Sequence, residues 1–307
     1  MTDDRDREPP SRRDRASSTP GGDRPDGTDP PGVFETTVRE GVCRCRRPGT
    51  RWLSTGHAGG LSTEPAAYNV TVPDGWPETD LDAYADERRR AAGFEAPGPT
   101  LFTGVDLRHA RRARFGAVEA VVTAGVSNPA ALPVAHAGGG DAEGSDDGDE
   151  AEWNDGDEGG WNGDGDGSRH RGDRPVGDGS GPGSQGPGTV NVVVGTSRAL
   201  APGALANLVA VAAEAKAATL LARVGVPGTT TDAVVAGSDP DGEPAAYSGS
   251  ATPVGRAARI CVRDALAASL DSRYARAGDD LPTSVEAAEY GIVTDGRAIV
   301  TAPEADR

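Results

Sequence analysis

The sequence predicts an α+β fold in which a few long helices cover a mixed or largely antiparallel sheet; a layered α/β sandwich is the alternative. Two observations indicate this class. Short apolar runs bounded by glycine, proline and small polar residues recur along the chain, which is typical of strands. Two long stretches, 202–224 and 253–270, have helical spacing instead. Runs of strands with only a few helices favour α+β over a regular alternation of strand and helix.

The strands are predicted from extended runs that end at turn-forming residues. Gly41 interrupts the first of them, and Pro73 ends the third. A hairpin about Asp295-Gly296 is expected within 292–301, because this dipeptide suits a two-residue turn. The other strand segments are 34–46, 51–53, 67–72, 100–103, 117–124, 190–194 and 233–236.

Three helices are predicted. The first is expected over 79–92, since a capping-box spacing opens this segment and Gly93 would end it. The stretch 202–224 is apolar on nearly every side, which predicts a buried helix. The stretch 253–270 is amphipathic, and a stripe of arginines lies opposite its apolar side, namely Arg256, Arg259 and Arg263.

Two polar segments hold most of the negative charge of this 307-residue chain, whose net charge is −17. Residues 1–32 contain 8 acids and 6 arginines, and residues 137–188 contain 14 acids, 3 arginines and 18 glycines. Neither segment can bury enough apolar surface to offset its chain entropy. We therefore expect a disordered tail at 1–32, a disordered Asp/Gly-rich insertion at 137–188, and one domain, made of 33–136 plus 189–307, that carries any catalytic site.

Composition also limits the partners and the compartment. The acidic balance argues against a nucleic-acid partner, because phosphate binding needs clustered cations. No run of about 18 apolar residues occurs and the N-terminus lacks an apolar leader, so we expect no membrane association and a cytoplasmic location. Three cysteines make neither a disulfide framework nor a zinc site. The many acids, with 30 arginines against one lysine, suit a protein in concentrated salt.

Small polar residues and glycines lie at the ends of several predicted strands, where binding and catalytic loops are usually found. Segments 54–60 and 125–128 each follow a strand, and segment 229–232 precedes one. A tight turn explains any one of these segments alone, but together they indicate a polar site. Glu214 and Lys216 lie on the apolar helix, where each buried charge needs a partner; Lys216 can alternatively extend to the surface.

Six segments form an ordered pattern between about residues 34 and 270, which the acidic insertion interrupts. They are Leu53–Gly60, Tyr68–Val72, Val122–Asn128, Thr189–Val192, Glu214–Lys216 and Gly228–Val235. Taken in this order, they resemble the adenosylcobinamide amidohydrolase family of corrinoid salvage. His57 stands where the family pattern leads us to expect an aromatic residue such as Trp.

The resemblance implies hydrolysis of the amide that joins aminopropanol to a corrin side chain. The products would be adenosylcobyric acid and 1-amino-2-propanol. An adenosylated corrinoid is then the expected partner, and its cobalt belongs to the substrate, so neither a protein metal nor another cofactor is required. Two alternatives stay open at this point: a corrinoid-binding protein without catalysis, and another C–N amide hydrolase or acyl transferase. The oligomeric state is not predicted.

Amide hydrolysis needs an activated nucleophile, donors for the oxyanion and an acid for the leaving amine. The hypothesis is direct attack by water, with Glu214 or Asp232 as the base. Asn128, with backbone N–H groups near Gly59-Gly60, would hold the oxyanion. Lys216 would fix the carboxylate or protonate the amine.

A covalent route through a serine is the competing hypothesis, because a neighbouring acid or Lys216 could activate either Ser127 or Ser54. Three aromatic residues, Trp52, Tyr68 and Trp76, either pack on the corrinoid or belong to the core. The residues expected to bind the substrate are Ser54, Thr55, Gly59, Gly60, Asn69, Ser127 and Thr231.

Overall fold

The computed structural model describes residues 32–73, 80–134, 188–275, 281, 285, 291–294, 296 and 298–303. The predicted tail and insertion lie outside these residues, apart from Gly32 and Gly188 at their ends. The elements in chain order are β1 Glu35–Arg39, β2 Val42–Arg46, β3 Arg51–Ser54, β4 Gly60–Thr63, β5 Ala66–Thr71, α1 Leu81–Ala91, β6 Thr100–Thr103, a 3₁₀ turn Leu107–His109, β7 Arg111–Phe115, β8 Val118–Ala124, β9 Pro129–Ala131, β10 Val190–Leu200, α2 Pro202–Val224, β11 Gly228–Thr229, β12 Ala233–Ala245, α3 Pro253–Arg273 and β13 Ile292–Val293.

A six-stranded sheet has the order β4-β3-β12-β10-β8-β7. Its central pair, β10 and β12, is parallel, and every other neighbouring pair is antiparallel. The chain between β10 and β12 returns through α2, as a parallel pair requires. Helices α2 and α3 bury their apolar sides against one face of this sheet, including Val192, Leu208 and Leu266.

A second sheet, of order β1-β2-β5-β6, lies on the other face of the first. Cys43 and Cys45 alternate inward along β2 and meet Trp52 and Val193 of the six-stranded sheet in a shared core. Helix α1 covers the outer face of the second sheet, where Tyr68 packs against Phe94. The layers are therefore two helices, six strands, four strands and one helix, which confirms the α+β class.

The predicted hairpin within 292–301 is wrong in its pairing. Strand β13 pairs in parallel with β9, so its partner lies more than 150 residues earlier in the chain. Strand β9 also pairs with β11, which gives a small third sheet. Among the described residues of the predicted second arm, Ile299 and Val300 are exposed and form no strand.

Helix α2 is, within the described part of the chain, the one helix long and apolar enough to cross a membrane by length and composition. The same composition is expected of a core helix, and α2 has the contacts of one. Nine of its residues are buried, and it packs against α3, β10 and β12. Pro202 occupies its first turn, and Gly225 ends it with a left-handed φ of 74°.

Candidate functional site

Four strand ends meet at one edge of the six-stranded sheet. Strands β3 and β8 end at this edge, with Ser54 and Ala124, and strands β10 and β12 begin there, with Val190 and Ala233. These ends meet because β3 and β8 run antiparallel to the parallel pair β10 and β12 that lies between them. The segments predicted to form the site therefore converge, and this edge with its loops is called the polar edge below.

Hydrogen bonds join neighbouring strand ends along the polar edge. Thr55 N donates to Val234 O at 2.9 Å, and the Thr55 hydroxyl accepts from Val234 N at 2.9 Å. On the other side, Gly125 N donates to Thr189 O at 3.1 Å. These bonds hold the end of β3 to the start of β12 and the end of β8 to the start of β10.

Asp232 and Lys216 form an ion pair at the centre of the polar edge, and their side chains are only 10% and 12% exposed. The carboxylate of Asp232 accepts from four donors. Two are backbone groups, Val190 N at 2.9 Å and Thr229 N at 3.0 Å, and two are the Thr229 hydroxyl and the Lys216 ammonium. Lys216 thus comes from α2 to the strand edge, and the alternative that it extends to the surface is wrong.

Asn128 lies beside this pair in the loop after β8 and is buried. Its Nδ2 donates to the Thr230 hydroxyl at 2.6 Å, while its Oδ1 is buried and has no hydrogen-bond partner among the described residues. Thr230 N donates in return to Asn128 O at 3.2 Å. The Oδ1 of this amide is therefore an unused acceptor, and the Nδ2 keeps a second N–H beside the one given to Thr230, so the oxyanion role of Asn128 stays a prediction.

Gly188 brings the start of β10 against the loop after β8. A Cβ at this position would lie 2.4 Å from Ser127 N and 2.6 Å from the carbonyl of Gly125, so only glycine allows the approach. Gly188 N donates to the Ser127 hydroxyl. Thr231 is held at the same place, because its hydroxyl and that of Thr189 lie 2.8 Å apart.

A cavity of about 260 Å³ opens where β3 ends, and Ser54, Gly59 and Gly60 line it. The Ser54 hydroxyl accepts from Gly56 N at 3.1 Å, which closes a tight turn. His57 also lines the cavity, with its Nε2 3.1 Å from Asp82 Oδ1. The four predicted residues of this segment thus lie together, with Thr55 turned to β12 and the others towards the cavity.

Asn69 belongs to a buried polar network between the two sheets. Its Nδ2 donates to the Thr123 hydroxyl at 2.8 Å, and its Oδ1 accepts from Asn191 at 2.9 Å. Asn191 also donates to Phe102 O at 2.8 Å. Thr123 and Asn191 were missed as candidates, although a polar residue inside the Val-rich segment 190–194 was a signal for Asn191.

Glu214 lies outside the polar edge, so the prediction that it is interior was wrong. Its side chain is 55% exposed and forms an ion pair with Arg259 of α3. Two residues correspond to about 200° around a helix, so Glu214 and Lys216 point to nearly opposite sides. Lys216 turns towards the sheet, and Glu214 therefore turns to the outer surface.

The two described aromatic candidates for corrinoid contact are core residues. Trp52 and Tyr68 are fully buried, and each donates its polar hydrogen to a backbone carbonyl, Glu64 O at 2.8 Å and Ala96 O at 2.7 Å. A role in stacking on a substrate is excluded by this burial. Trp76 lies outside the described residues.

No group of three His, Cys, Asp or Glu side chains within the described part of the chain is arranged to hold a metal ion. The thiols are core groups. Burial raises the pKa of Cys261 to about 12, and the pKa of Cys45 is raised by its hydrogen bond to Cys43 and by burial.

Two comparisons with known proteins bear on this site. A model of the adenosylcobinamide amidohydrolase family matches residues 32–278, which include all strands and helices that build the polar edge. The chain is also similar to the adenosylcobinamide amidohydrolase of Halobacterium salinarum, with 48% identity over 276 residues that cover 88% of this chain and 100% of the relative. No solved structure matches.

Proposed function

Because the chain belongs to the adenosylcobinamide amidohydrolase family, we propose that it cleaves the amide joining aminopropanol to the corrin side chain of adenosylcobinamide. The products are adenosylcobyric acid and 1-amino-2-propanol. The observation that carries the proposal is the polar edge, where an ammonium, a carboxylate and an unused amide oxygen are held together. The cobalt ion belongs to the substrate, so the proposal assigns no metal or cofactor to the protein.

Lys216 is proposed as the acid for the leaving nitrogen. An ammonium group has three N–H donors. Within the described residues Lys216 makes one hydrogen bond, to Asp232. The remaining donors are free for the substrate, and the low exposure of this side chain strengthens its electrostatic effect on a reacting group.

Asp232 is proposed as the base for the attacking water. Its two backbone donors fix the carboxylate in place, whereas the Thr229 hydroxyl and the Lys216 ammonium are side-chain groups that can turn away. We propose that the water takes the place of the Thr229 hydroxyl on Oδ1. The base is then rigid while one of its lone pairs becomes available on substrate binding.

The ion pair closes the proton cycle. The water oxygen bonds to the amide carbon as Asp232 takes a proton from water, and the C–N bond breaks as Lys216 gives a proton to the nitrogen. The Lys216 amine then turns from Oδ2 to the protonated Oδ1 of the same carboxyl group and takes the proton back. The net reaction is water plus amide to carboxylic acid plus amine, and both side chains regain their initial state.

Asn128 is proposed to orient the scissile amide by accepting its N–H at the buried Oδ1. The cavity beside Ser54 is too small for a corrin ring, since even compact ligand pockets usually exceed about 300 Å³. We propose that it receives the aminopropanol arm, with the Ser54 hydroxyl and the Gly59-Gly60 backbone as polar neighbours. The ring itself would then lie outside the polar edge.

The structure supports the water route better than the serine route. A serine nucleophile needs a base in contact with its hydroxyl. The hydroxyl oxygen of Ser54 accepts from Gly56 N, and among the described residues its O–H donates to no basic side chain; the hydrogen bond of Lys216 goes to Asp232 instead. We therefore expect no acyl-enzyme at Ser54, and we expect Ser54→Ala to retain measurable kcat; Ser127→Ala tests the other serine separately.

The test is release of 1-amino-2-propanol from adenosylcobinamide in concentrated salt. Asp232→Asn and Lys216→Met should each lower kcat by about a hundredfold or more, the usual contribution of general acid–base groups. Glu214→Gln is the matched control, because it removes an exposed carboxylate from the same helix as Lys216.

Near-full turnover in both Asp232→Asn and Lys216→Met would overturn the mechanism. An adduct with the mass of the corrinoid acyl group on a serine would replace it with the covalent route. Corrinoid binding without amine release would instead indicate a binding protein. A cytoplasmic location and work in concentrated salt remain predictions from composition, which kcat measured against KCl concentration would test in part.

A further inference from the structure

Arg273, in the last turn of α3, is a buried cation that forms no ion pair with any described residue. The residue is 5% exposed, and its Nε has no hydrogen-bond partner in the described part of the chain. The guanidinium lies over the ring of Tyr274, with its Cζ 5.6 Å from the ring centroid. This contact and the C-terminal end of the helix dipole offset part of the cost of burying the charge. Neither of them gives the charge a paired anion among the described residues or the Nε an acceptor.

Arg273 lies directly under the loop of the polar edge. A Cβ on Gly125 would be 3.1 Å from Arg273 Cζ and 3.3 Å from its Nε, so the guanidinium packs against the backbone of that glycine. Two bonds fix the end of α3 at this position. The Ser269 hydroxyl accepts from Ala124 N at 3.0 Å, and the Tyr274 hydroxyl accepts from Val126 N at 3.0 Å.

The surroundings of Arg273 are positive. Arg108 and Arg111 flank the same end of α3, and Arg111 and His109 both contact Ser272. Burial and then Arg108 lower the pKa of His109, and Arg273 and Arg111 add to this effect. The two described acids near this end of α3 are already paired, Asp271 with Arg223 and Asp106 with Arg108. The local field therefore favours an incoming anion.

We propose that Arg273 binds the carboxylate that amide cleavage creates on the corrinoid product. This inference rests on the proposed function. The substrate side chain is a neutral amide, and hydrolysis converts the same carbon into a carboxylate, which is ionised at neutral pH. A guanidinium presents two parallel N–H donors that match a carboxylate and not an amide. Arg273 therefore discriminates between product and substrate at one position.

The experiment compares two ligands that differ at this group. Dissociation constants for adenosylcobyric acid and adenosylcobinamide are measured by corrinoid absorbance titration at one salt concentration, because charge effects depend on salt. Arg273→Gln should weaken binding of the acid by about tenfold to a hundredfold, the usual value of a charge-assisted hydrogen bond. Binding of the neutral amide should change by less than about threefold, within the range of a lost neutral contact.

Two further variants make the result specific. Arg256→Gln removes an exposed arginine from the same helix and should change neither constant. Gly125→Ala places a methyl group against the guanidinium and should reproduce the selective loss if Arg273→Gln fails to fold. A thermal melt of each variant establishes that it is folded.

Equal losses for acid and amide, or no loss for the acid, would overturn the inference. Failure of the proposed function has a different signature, because the wild-type chain would then release no aminopropanol. The two binding constants are still measured in that case, and they decide the role of Arg273 independently of turnover.

Discussion

Removing Lys216 and removing Asp232 should lower the free energy of unfolding by different amounts. Lys216→Met replaces the ammonium with an apolar chain of similar length. The Asp232 carboxylate then keeps three of its four donors, namely Val190 N, Thr229 N and the Thr229 hydroxyl. We expect a loss of about 1–3 kcal/mol in the free energy of unfolding, the value of one charge-assisted bond.

Asp232→Asn should cost more, about 3–5 kcal/mol, because it leaves a nearly buried ammonium without a counter-ion. Geometry adds to this cost. A backbone N–H donates to each oxygen of Asp232, so the amide nitrogen of asparagine would face a donor in either orientation. The double variant should be more stable than the sum of the two losses predicts, since both single variants remove the same interaction.

The measurement is urea unfolding of the three variants, with midpoints compared at an unchanged slope. Glu214→Gln again serves as the control, because its exposed pair with Arg259 should contribute no more than about 1 kcal/mol. If Lys216→Met proved more destabilising than Asp232→Asn, or if the losses were additive, the carboxylate would not be the fixed centre of the polar edge.

Three further outcomes are expected. Gly188→Ala should lower kcat, because its methyl group would push the start of β10 away from Ser127 at the site. A kcat equal to that of the wild type would contradict this. Burial and Arg108 lower the pKa of His109 from 6.5 in the folded protein, so near that pH the unfolded chain binds more protons than the folded one. The free energy of unfolding should therefore fall as the pH drops through about 6.5. In urea unfolding at several pH values, this fall should be shallower for His109→Gln. Iodoacetamide at about pH 8 should alkylate the thiols only after unfolding, since the folded thiols are buried and two have raised pKa values; mass spectrometry would detect any native labelling of Cys43, Cys45 or Cys261.

The interior elements could be predicted from the sequence because burial leaves a direct pattern. Strand β8 and the first half of β10 are nearly continuous runs of Val and Ala, and α3 has a clean apolar side. Strands β4 and β7 were missed. Both are outermost in the six-stranded sheet, and β7 is largely arginine, so neither carries the apolar run by which strands were found.

The far ends of β10 and β12 were also longer than predicted. Strand β12 continues through Asp239, Pro240 and Gly242, which are typical of turns. It is held there by β10, whose pairing resumes at Arg198 after an irregularity at Thr196. The irregularity in β10 lets the two strands pair again beyond the turn-like residues of β12. Because this depends on the partner strand, the local sequence of β12 does not reveal it.

At the site, the types of residue could be predicted but not the side of α2 on which they lie. A helix orients itself by the contrast between its apolar and polar sides, and α2 has almost none. Glu214 and Lys216 therefore looked equally interior, and only the positions of Asp232 and Arg259 separate them. Arg273 was missed for a related reason, since a charged residue in the last turn of a helix is ordinarily a surface residue.

Strand direction explains how short segments spread over the chain can form one site. Any two antiparallel neighbours bring the end of one strand to the start of the other, and the sheet alternates in this way from β3 through β12 and β10 to β8, with one parallel pair at its centre. Lys216 joins this edge because α2 returns to it before β12 begins. Arg273 joins because α3 runs along β8 to the same end. The two cations thus reach the polar edge from different helices, as one acid for the leaving amine and one receptor for the new carboxylate would require.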